Sequence, residues 1–132
     1  TWHSPTLAVL LAPPDDVVGR AARRDVVAAL HAGGARLLIG TDAGIDRTPA
    51  GTSLVDEMAL FAEAGVPLAR MLRMVTVDAA EYLGVDDDRA RIEPGYRADL
   101  ALFQDNPLDD LDHLRSVRGV VMGTRWIVPE PE

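Results

Sequence analysis

The sequence contains neither cysteine nor lysine, and all 13 of its positively charged residues are arginine. The absence of cysteine excludes disulfides and thiolate metal sites, and it fits a reducing compartment, so we expect a cytoplasmic protein. No apolar run approaches the roughly 18 residues that a membrane span needs, and no signal-peptide pattern opens the chain. Acidic residues outnumber arginines by 21 to 13, which gives a net charge of −8 without any basic stripe. Nucleic acids and anionic membranes are therefore not expected as partners.

The composition is nevertheless that of a folded protein. The 132 residues are 48% hydrophobic, which is enough for one domain with a substantial core. The sequence begins at Thr1 rather than at an initiator methionine. We therefore expect it to be a piece of a longer polypeptide.

Residues 36–44, Arg-Leu-Leu-Ile-Gly-Thr-Asp-Ala-Gly, are the most informative stretch. A short apolar run bounded by glycine predicts a strand that is buried on both faces of a parallel sheet. Such a strand delivers its last side chains to the carboxyl edge of the sheet, where α/β folds place their chemistry. Asp42 would lie at that edge, and Gly44 would let the backbone turn away. Taken alone, the motif is more typical of an ordinary turn than of a functional aspartate.

The preceding residues predict a βαβ unit. Residues 5–12 form a second apolar run closed by two prolines, which we interpret as another buried strand. Asp15 or Asp16 would cap the following helix, and Gly33 with Gly34 would end it. The two strands should be parallel, with a right-handed crossover between them. The inward stripe predicted for the helix consists of Val18, Ala22, Val26 and Leu30.

Two further helices are predicted in the middle of the chain. Ser53, with Asp56 three residues later, resembles a capping box at the start of the first helix, and Gly65 would end it. Pro67 suits the first turn of the second helix, and Gly84 its end. The first helix would bury Leu54, Met58, Phe61 and Ala62, and the second would bury Leu68, Met71, Leu72, Val75 and Ala79.

From residue 85 onward the sequence is typical of β-structure. Residues 93–95, Glu-Pro-Gly, have the order of a turn with proline and glycine at its centre. Strands are predicted at residues 99–103, 117–122 and 124–128, and Gly123 would be the first residue of a tight hairpin turn. Residues 111–114 predict a short helical turn.

Several motifs follow one another in a characteristic order, although each is weak alone. They lie at residues 29–34 with 37–43, 53–58, 63–66, 71–80 with 83–84, and 92–100, with shorter ones at 107–108 and 120–123. In this order they resemble the C-terminal portion of the amidohydrolase superfamily, most of all its imidazolonepropionase-like and prolidase-like members. The resemblance covers most of residues 30–127.

The resemblance implies an α/β fold, namely the last strands and helices of a (β/α)₈ TIM barrel followed by strands of a small β-sandwich. On this interpretation residues 1–84 belong to the barrel and residues 85–132 to the sandwich. Asp42 matches the aspartate at the end of the eighth barrel strand. That residue binds a divalent metal, accepts a proton from the attacking water and passes it to the leaving nitrogen. A carboxylate suits both tasks, since it is a hard oxygen ligand and a proton acceptor.

The sequence also departs from the family pattern. The paired histidines of the first strand, the bridging lysine or glutamate and two further histidines are missing, and a full barrel takes roughly 250 residues. One or two divalent ions, with zinc as the expected metal, would therefore need ligands from outside this chain. His3, His31 and His113 match no ligand position, and we interpret His31 and His113 as structural.

Two other candidate sites lie in loops. Gly44 and Arg47 follow Asp42 and are candidate substrate contacts, because a guanidinium can bind a substrate carboxylate through two hydrogen bonds. A solvent-facing loop arginine is the alternative for Arg47. The aspartate-rich residues 105–112 lack the ligand spacing of a calcium loop, and we do not expect calcium there.

Two functions remain open. The first is the C-terminal part of a metal-dependent amidohydrolase that hydrolyses an amide or cyclic-amide C–N bond of a small or peptide-like molecule, the fragment alone being inactive. The second is a non-catalytic domain of the same fold that binds a partner. In either case we expect residues 5–83 to pack against the rest of a parent chain or a second copy, because one βαβ unit leaves open sheet edges and an uncovered apolar face.

Overall fold

The structure, a computed structural model, describes residues 1–10, 17–44 and 48–128. The chain divides into two compact units, Thr1–Val75 and Thr76–Glu132. Each unit is described by itself, and the domain boundary expected at residue 84 stays a prediction. None of the described helices is both long enough and apolar enough to cross a membrane.

The first unit contains a βαβ arrangement built on a short parallel sheet. Strand β1 (Trp2–His3) is followed by helix α1 (Leu7–Leu10), helix α2 (Val17–Ala32) and strand β2 (Arg36–Leu37). The strands pair in parallel, with Trp2 opposite Arg36 and His3 opposite Leu37. The Leu38 amide continues the ladder by donating to the His3 carbonyl at 2.9 Å. The Arg36 guanidinium lies 3.8 Å from the centre of the Trp2 ring, a cation–π contact that stabilises this register.

The strand predicted at residues 5–12 is wrong. The strand is Trp2–His3, and the apolar run begins instead as helix α1. The first two backbone amides of α1 donate hydrogen bonds to the carboxylate of Glu57, which is distant in sequence. A short apolar run gives no indication of such a contact. The predicted caps Asp15 and Asp16 lie outside the described residues.

Helix α2 turns a different face inward than its apolar pattern predicts. Val27 is fully buried, whereas Val18 is 82% exposed and Val26 is 57% exposed. Two residues of the predicted stripe, Ala22 and Val26, instead line an open apolar groove of about 290 Å³, formed by Pro5, Leu7, Ala22, Arg23, Val26 and Val27. The predicted end of the helix is confirmed, since the helix ends at Ala32 and Gly34, two residues later, adopts φ +71°.

Helix α3 (Ser53–Glu63) contributes more buried side chains than any other described element of the first unit. It begins where predicted, but Thr52 is its N-cap and makes no side-chain hydrogen bond, so the predicted capping box is wrong. Of the predicted stripe, Met58 and Phe61 are buried, whereas Leu54 is 40% exposed and Ala62 is also exposed. The buried side chains are Ser53, Val55, Glu57, Met58 and Phe61. Two of these, Ser53 and Glu57, are polar, and a pattern of apolar residues does not predict that they are buried.

The second predicted helix is interrupted. Helix α4 (Leu68–Val75) ends the first unit, and helix α5 (Val77–Leu83) begins the second. Thr76 between them has φ −123° and ψ −91°, outside helical values. Three β-branched residues in succession, at positions 75–77, weaken helical continuity there. Gly84 ends α5 at φ +68°, as predicted.

The second unit carries an antiparallel sheet in the order β3–β4–β5. Its strands are Asp99–Phe103, Val117–Met122 and Arg125–Ile127, with a 3₁₀ helix at Leu111–Arg115. The predicted hairpin is confirmed, because Met122 pairs with Arg125 around a turn that begins with Gly123 at φ +60°. The predicted Pro-Gly turn is also present, since the Tyr96 amide donates to the Glu93 carbonyl at 3.1 Å and Gly95 has φ +94°.

Candidate active site

Parallel pairing brings the residues that follow β1 and β2 to the same edge of the sheet. Asp42 follows β2 in this region, and its backbone has φ +50°, a left-handed value that is uncommon for residues other than glycine. The residue is exposed. Among the described residues, no hydrogen bond to the Asp42 carboxylate is present.

The side chain of Thr48 is hydrogen-bonded to the backbone of Asp42. Its hydroxyl Oγ1 donates to the Asp42 carbonyl at 3.2 Å, and its own carbonyl accepts from the Gly44 amide at 3.1 Å. Thr48 is fully buried. Together these two hydrogen bonds join Thr48 to the backbone at Asp42 and Gly44, and they restrain the position from which the Asp42 side chain extends. No motif in the run Thr-Pro-Ala at residues 48–50 identifies Thr48 in the sequence. Arg47 lies outside the described residues.

The segment after β1 packs closely on the segment that carries Asp42. A Cβ atom placed on Gly40 would lie only 2.8 Å from the Ser4 hydroxyl oxygen, so the glycine permits this approach. Thr6, two residues after Ser4, has φ +52°. Thr6 and Asp42 are the two non-glycine residues with left-handed backbones in the described part of the first unit. Strained backbone of this kind tends to gather at functional sites.

Glu57 is a second buried polar residue that no sequence signal identifies. It is fully buried on α3, and its Oε1 and Oε2 accept from the amides of Leu7 and Ala8 at 2.7 and 2.6 Å. Burial raises the pKa of Glu57, and the two amide hydrogen bonds oppose that shift in part. The contact ties the start of α1 to a core helix some fifty residues away.

A metal site is not complete in this part of the chain. The described residues contain no group of three or more histidine, cysteine, aspartate or glutamate side chains that could hold an ion. A zinc site in a protein needs three or four protein ligands, and Asp42 can supply one. The chemistry of its carboxylate fits a divalent metal, but the described residues do not form the site by themselves.

None of the three histidines belongs to a group of three or more potential metal ligands in the described residues. His3 is exposed on β1 and His31 lies in the last turn of α2. In the second unit, Nδ1 of His113 bonds the Asn106 carbonyl at 2.8 Å, and this hydrogen bond raises the pKa of His113, helped by neighbouring aspartates. Asp110 in the aspartate-rich segment accepts from the Asp112 amide at 2.9 Å and caps the 3₁₀ helix. These contacts are consistent with structural roles for His113 and for the aspartate-rich segment.

Comparison with known proteins decides the family. The model of the amidohydrolase family matches residues 9–127, which is most of the chain. The chain belongs to the amidohydrolase family. The resemblance inferred from the ordered motifs is thereby confirmed. No curated protein matches the chain at significant similarity.

Solved amidohydrolase structures show what part of the fold this is. A Xaa-Pro dipeptidase with methionine bound in its active site superposes with a TM-score of 0.84 at 25% identity, covering 98% of this chain and 35% of the other. A second amidohydrolase gives a TM-score of 0.76 at 25% identity, covering 99% and 35%. A Bifidobacterium longum protein assigned as a prolidase is 30% identical, with a TM-score of 0.74, and the match covers 83% and 28%. This amidohydrolase chain thus spans about a third of these relatives, and the predicted class, a partial TIM-barrel fragment, is confirmed.

Proposed function

We propose that this chain is the C-terminal part of a metal-dependent amidohydrolase, and that Asp42 is its catalytic aspartate. The observation that carries the proposal is the position of Asp42. Its backbone is fixed by the buried Thr48, while its carboxylate is exposed beyond the carboxyl ends of two parallel strands. Family membership supports hydrolysis as the reaction class.

Asp42 would act twice in the reaction. A divalent metal, for which zinc is our proposal, lowers the pKa of a water from about 15.7 towards 7 and polarises the amide carbonyl when it is bound. Asp42 would be one of its ligands, and the others would come from outside this chain. One carboxylate oxygen of Asp42 accepts the proton of the attacking water. The same carboxylic acid then donates that proton to the leaving nitrogen, so that the C–N bond breaks to give an acid and an amine.

The substrate is proposed to be a small amide or peptide-like molecule. The Xaa-Pro dipeptidase and the prolidase among the similar structures make an Xaa-Pro dipeptide the first compound to test. Gly44 and Arg47, in the loop that follows Asp42, remain the proposed substrate contacts. A guanidinium at position 47 would pair with the carboxylate of such a dipeptide.

The experiment compares Asp42→Asn with Asp25→Asn in the complete protein supplied with zinc. Asp25 is an exposed aspartate on α2 that pairs with Arg24, so it serves as a matched control. Release of proline from methionyl-proline should fall by about 100-fold or more in Asp42→Asn, the usual cost of losing a general acid–base, with the circular dichroism spectrum unchanged. Asp25→Asn should retain wild-type turnover. Turnover by Asp42→Asn within threefold of wild type would show that another residue carries the proton.

A further inference from the structure

The buried carboxylate of Glu57 faces a pair of neighbouring backbone amides. Leu7 and Ala8 both point their N–H groups at it, one to each oxygen, at 2.7 and 2.6 Å. Two adjacent donors need two acceptors, and a carboxylate is the side chain that presents two acceptor oxygens and no donor. Glutamine would place its NH₂ group against one of the amides. The chemistry of the pocket therefore selects glutamate specifically.

The amides that Glu57 holds come directly after Thr6. A β-branched residue with φ +52° is costly, and surrounding contacts must maintain it. On one side the Thr6 hydroxyl donates to the Ser4 carbonyl at 3.4 Å, which is a long hydrogen bond. On the other side stand the two short bonds to Glu57. The stronger restraint on this turn is thus the carboxylate of α3.

The turn in question contacts the residues that lead to Asp42. Ser4 approaches Gly40 so closely that a Cβ at position 40 would lie 2.8 Å from its hydroxyl oxygen. Because the Leu38 amide also donates to the His3 carbonyl, the two chain segments are joined at backbone level directly before this contact. Displacement of residues 4–6 would therefore be transmitted to residues 40–42.

We propose that Glu57 is a positioning residue of the active site, which holds residues 4–8 in place against the segment that carries Asp42. Glu57 itself contacts neither substrate nor metal in this proposal. Its consequence for catalysis rests on the proposed function of Asp42, whereas its consequence for the two loops does not.

The test uses Glu57→Gln in the complete protein, with Glu63→Gln as the matched control. Glu63 lies on the same helix, exposed, in an ion pair with Arg20. Amide hydrogen exchange measured by mass spectrometry should accelerate about tenfold in peptides covering residues 4–8 and residues 40–44 of Glu57→Gln, as expected for the loss of one well-formed hydrogen bond. The control should leave both peptides unchanged. Unchanged exchange in residues 40–44 of Glu57→Gln would overturn the proposal, whatever the enzyme's activity.

Turnover of methionyl-proline with zinc gives the second measurement. We expect kcat of Glu57→Gln to fall about tenfold with KM within twofold, because the reacting group is misplaced while substrate binding is retained. The double variant Thr6→Gly/Glu57→Gln should recover most of this loss, since glycine adopts the left-handed conformation without restraint. Failure of Thr6→Gly to rescue kcat would assign Glu57 a purely structural role.

The two proposals fail in different ways. If wild type and Glu63→Gln release no proline, the proposed substrate is wrong, and the exchange measurement still decides the role of Glu57. If Glu57→Gln does not fold, Glu57→Asp replaces it. The shorter carboxylate cannot reach both amides at once, so exchange in residues 4–8 should again accelerate.

Discussion

The hydrogen bond from Thr48 to the Asp42 carbonyl can be separated from the packing of Thr48 by two substitutions. Thr48→Val keeps the volume of the side chain and removes the hydroxyl donor. Thr48→Ser keeps the donor and removes one methyl group. Since Thr48 is fully buried, both changes are felt by the core.

The two variants should be destabilised by similar amounts. A neutral hydrogen bond contributes about 0.5–1.5 kcal/mol, and the 3.2 Å separation is longer than usual for a hydroxyl donor, which places this one near the middle of that range or below it. Removal of one buried methyl group costs about 0.8 kcal/mol. Chemical denaturation of the complete protein should therefore give free energies of unfolding for the two variants that agree within about 0.5 kcal/mol.

Catalysis should distinguish them. Only Thr48→Val removes the side-chain hydrogen bond to the Asp42 carbonyl. Loss of a contact that orients a catalytic ligand costs about tenfold or more in activity. We expect kcat for methionyl-proline to fall about tenfold in Thr48→Val and less than about threefold in Thr48→Ser. Equal kcat values in this stability-matched pair would refute the inference that Thr48 positions Asp42.

Two pH-dependent properties follow from the raised pKa values. Burial raises the pKa of Glu57 above 4.5. The folded state therefore binds more protons than the unfolded state between pH 4.5 and the raised pKa. The free energy of unfolding of wild type relative to Glu57→Gln should be greatest below pH 4.5 and fall as the pH rises through the raised pKa. Denaturation series on both sides of pH 4.5 measure this, and a difference that does not vary with pH would contradict it. The hydrogen bond from Nδ1 to the Asn106 carbonyl, aided by Asp105, Asp109 and Asp110, should give His113 a pKa above 6.5 in an NMR titration, and Asp105→Asn should lower it. A value at or below 6.5 would show that His113 is not held by that carbonyl.

The sequence predicted the second unit more successfully than the first. The strand Asp99–Phe103, the 3₁₀ helix and the hairpin at Gly123 lie where the pattern placed them. Their signals are local, because turn chemistry and alternation act over a few residues. Register follows directly from a two-residue turn.

The errors in the first unit have a common cause. The apolar run at residues 5–12 predicts a strand, whereas the helix that starts at Leu7 depends on Glu57, fifty residues later in the sequence. On α2 the pattern places Val18 and Val26 inward, and both are exposed. On α3 it correctly places Met58 and Phe61 inward, but it leaves out the buried Ser53 and Glu57. Apolar periodicity treats every apolar residue as inward-facing, and it has no means of recognising a buried polar side chain such as Glu57, whose partners are backbone amides.

The residues of the candidate site differ in the same way in how far the sequence identifies them. Asp42 could be identified because ordered motifs surround it, and its predicted role stays a prediction. Thr48 and Glu57 could not, since each acts on backbone atoms and neither belongs to a motif that describes chemistry. Residues that position a reacting group leave a weak signal in one sequence, and coordinates are needed to find them.

The left-handed backbones at Thr6 and Asp42 have a consequence for laboratory evolution. Each position stores conformational energy of about 1–2 kcal/mol that glycine would release. Selection for heat resistance alone should favour replacement at both positions, whereas selection that also demands turnover should accept replacement only at position 6. The two sites would thus respond to the same pressure in opposite ways, a form of the trade-off between durability and activity.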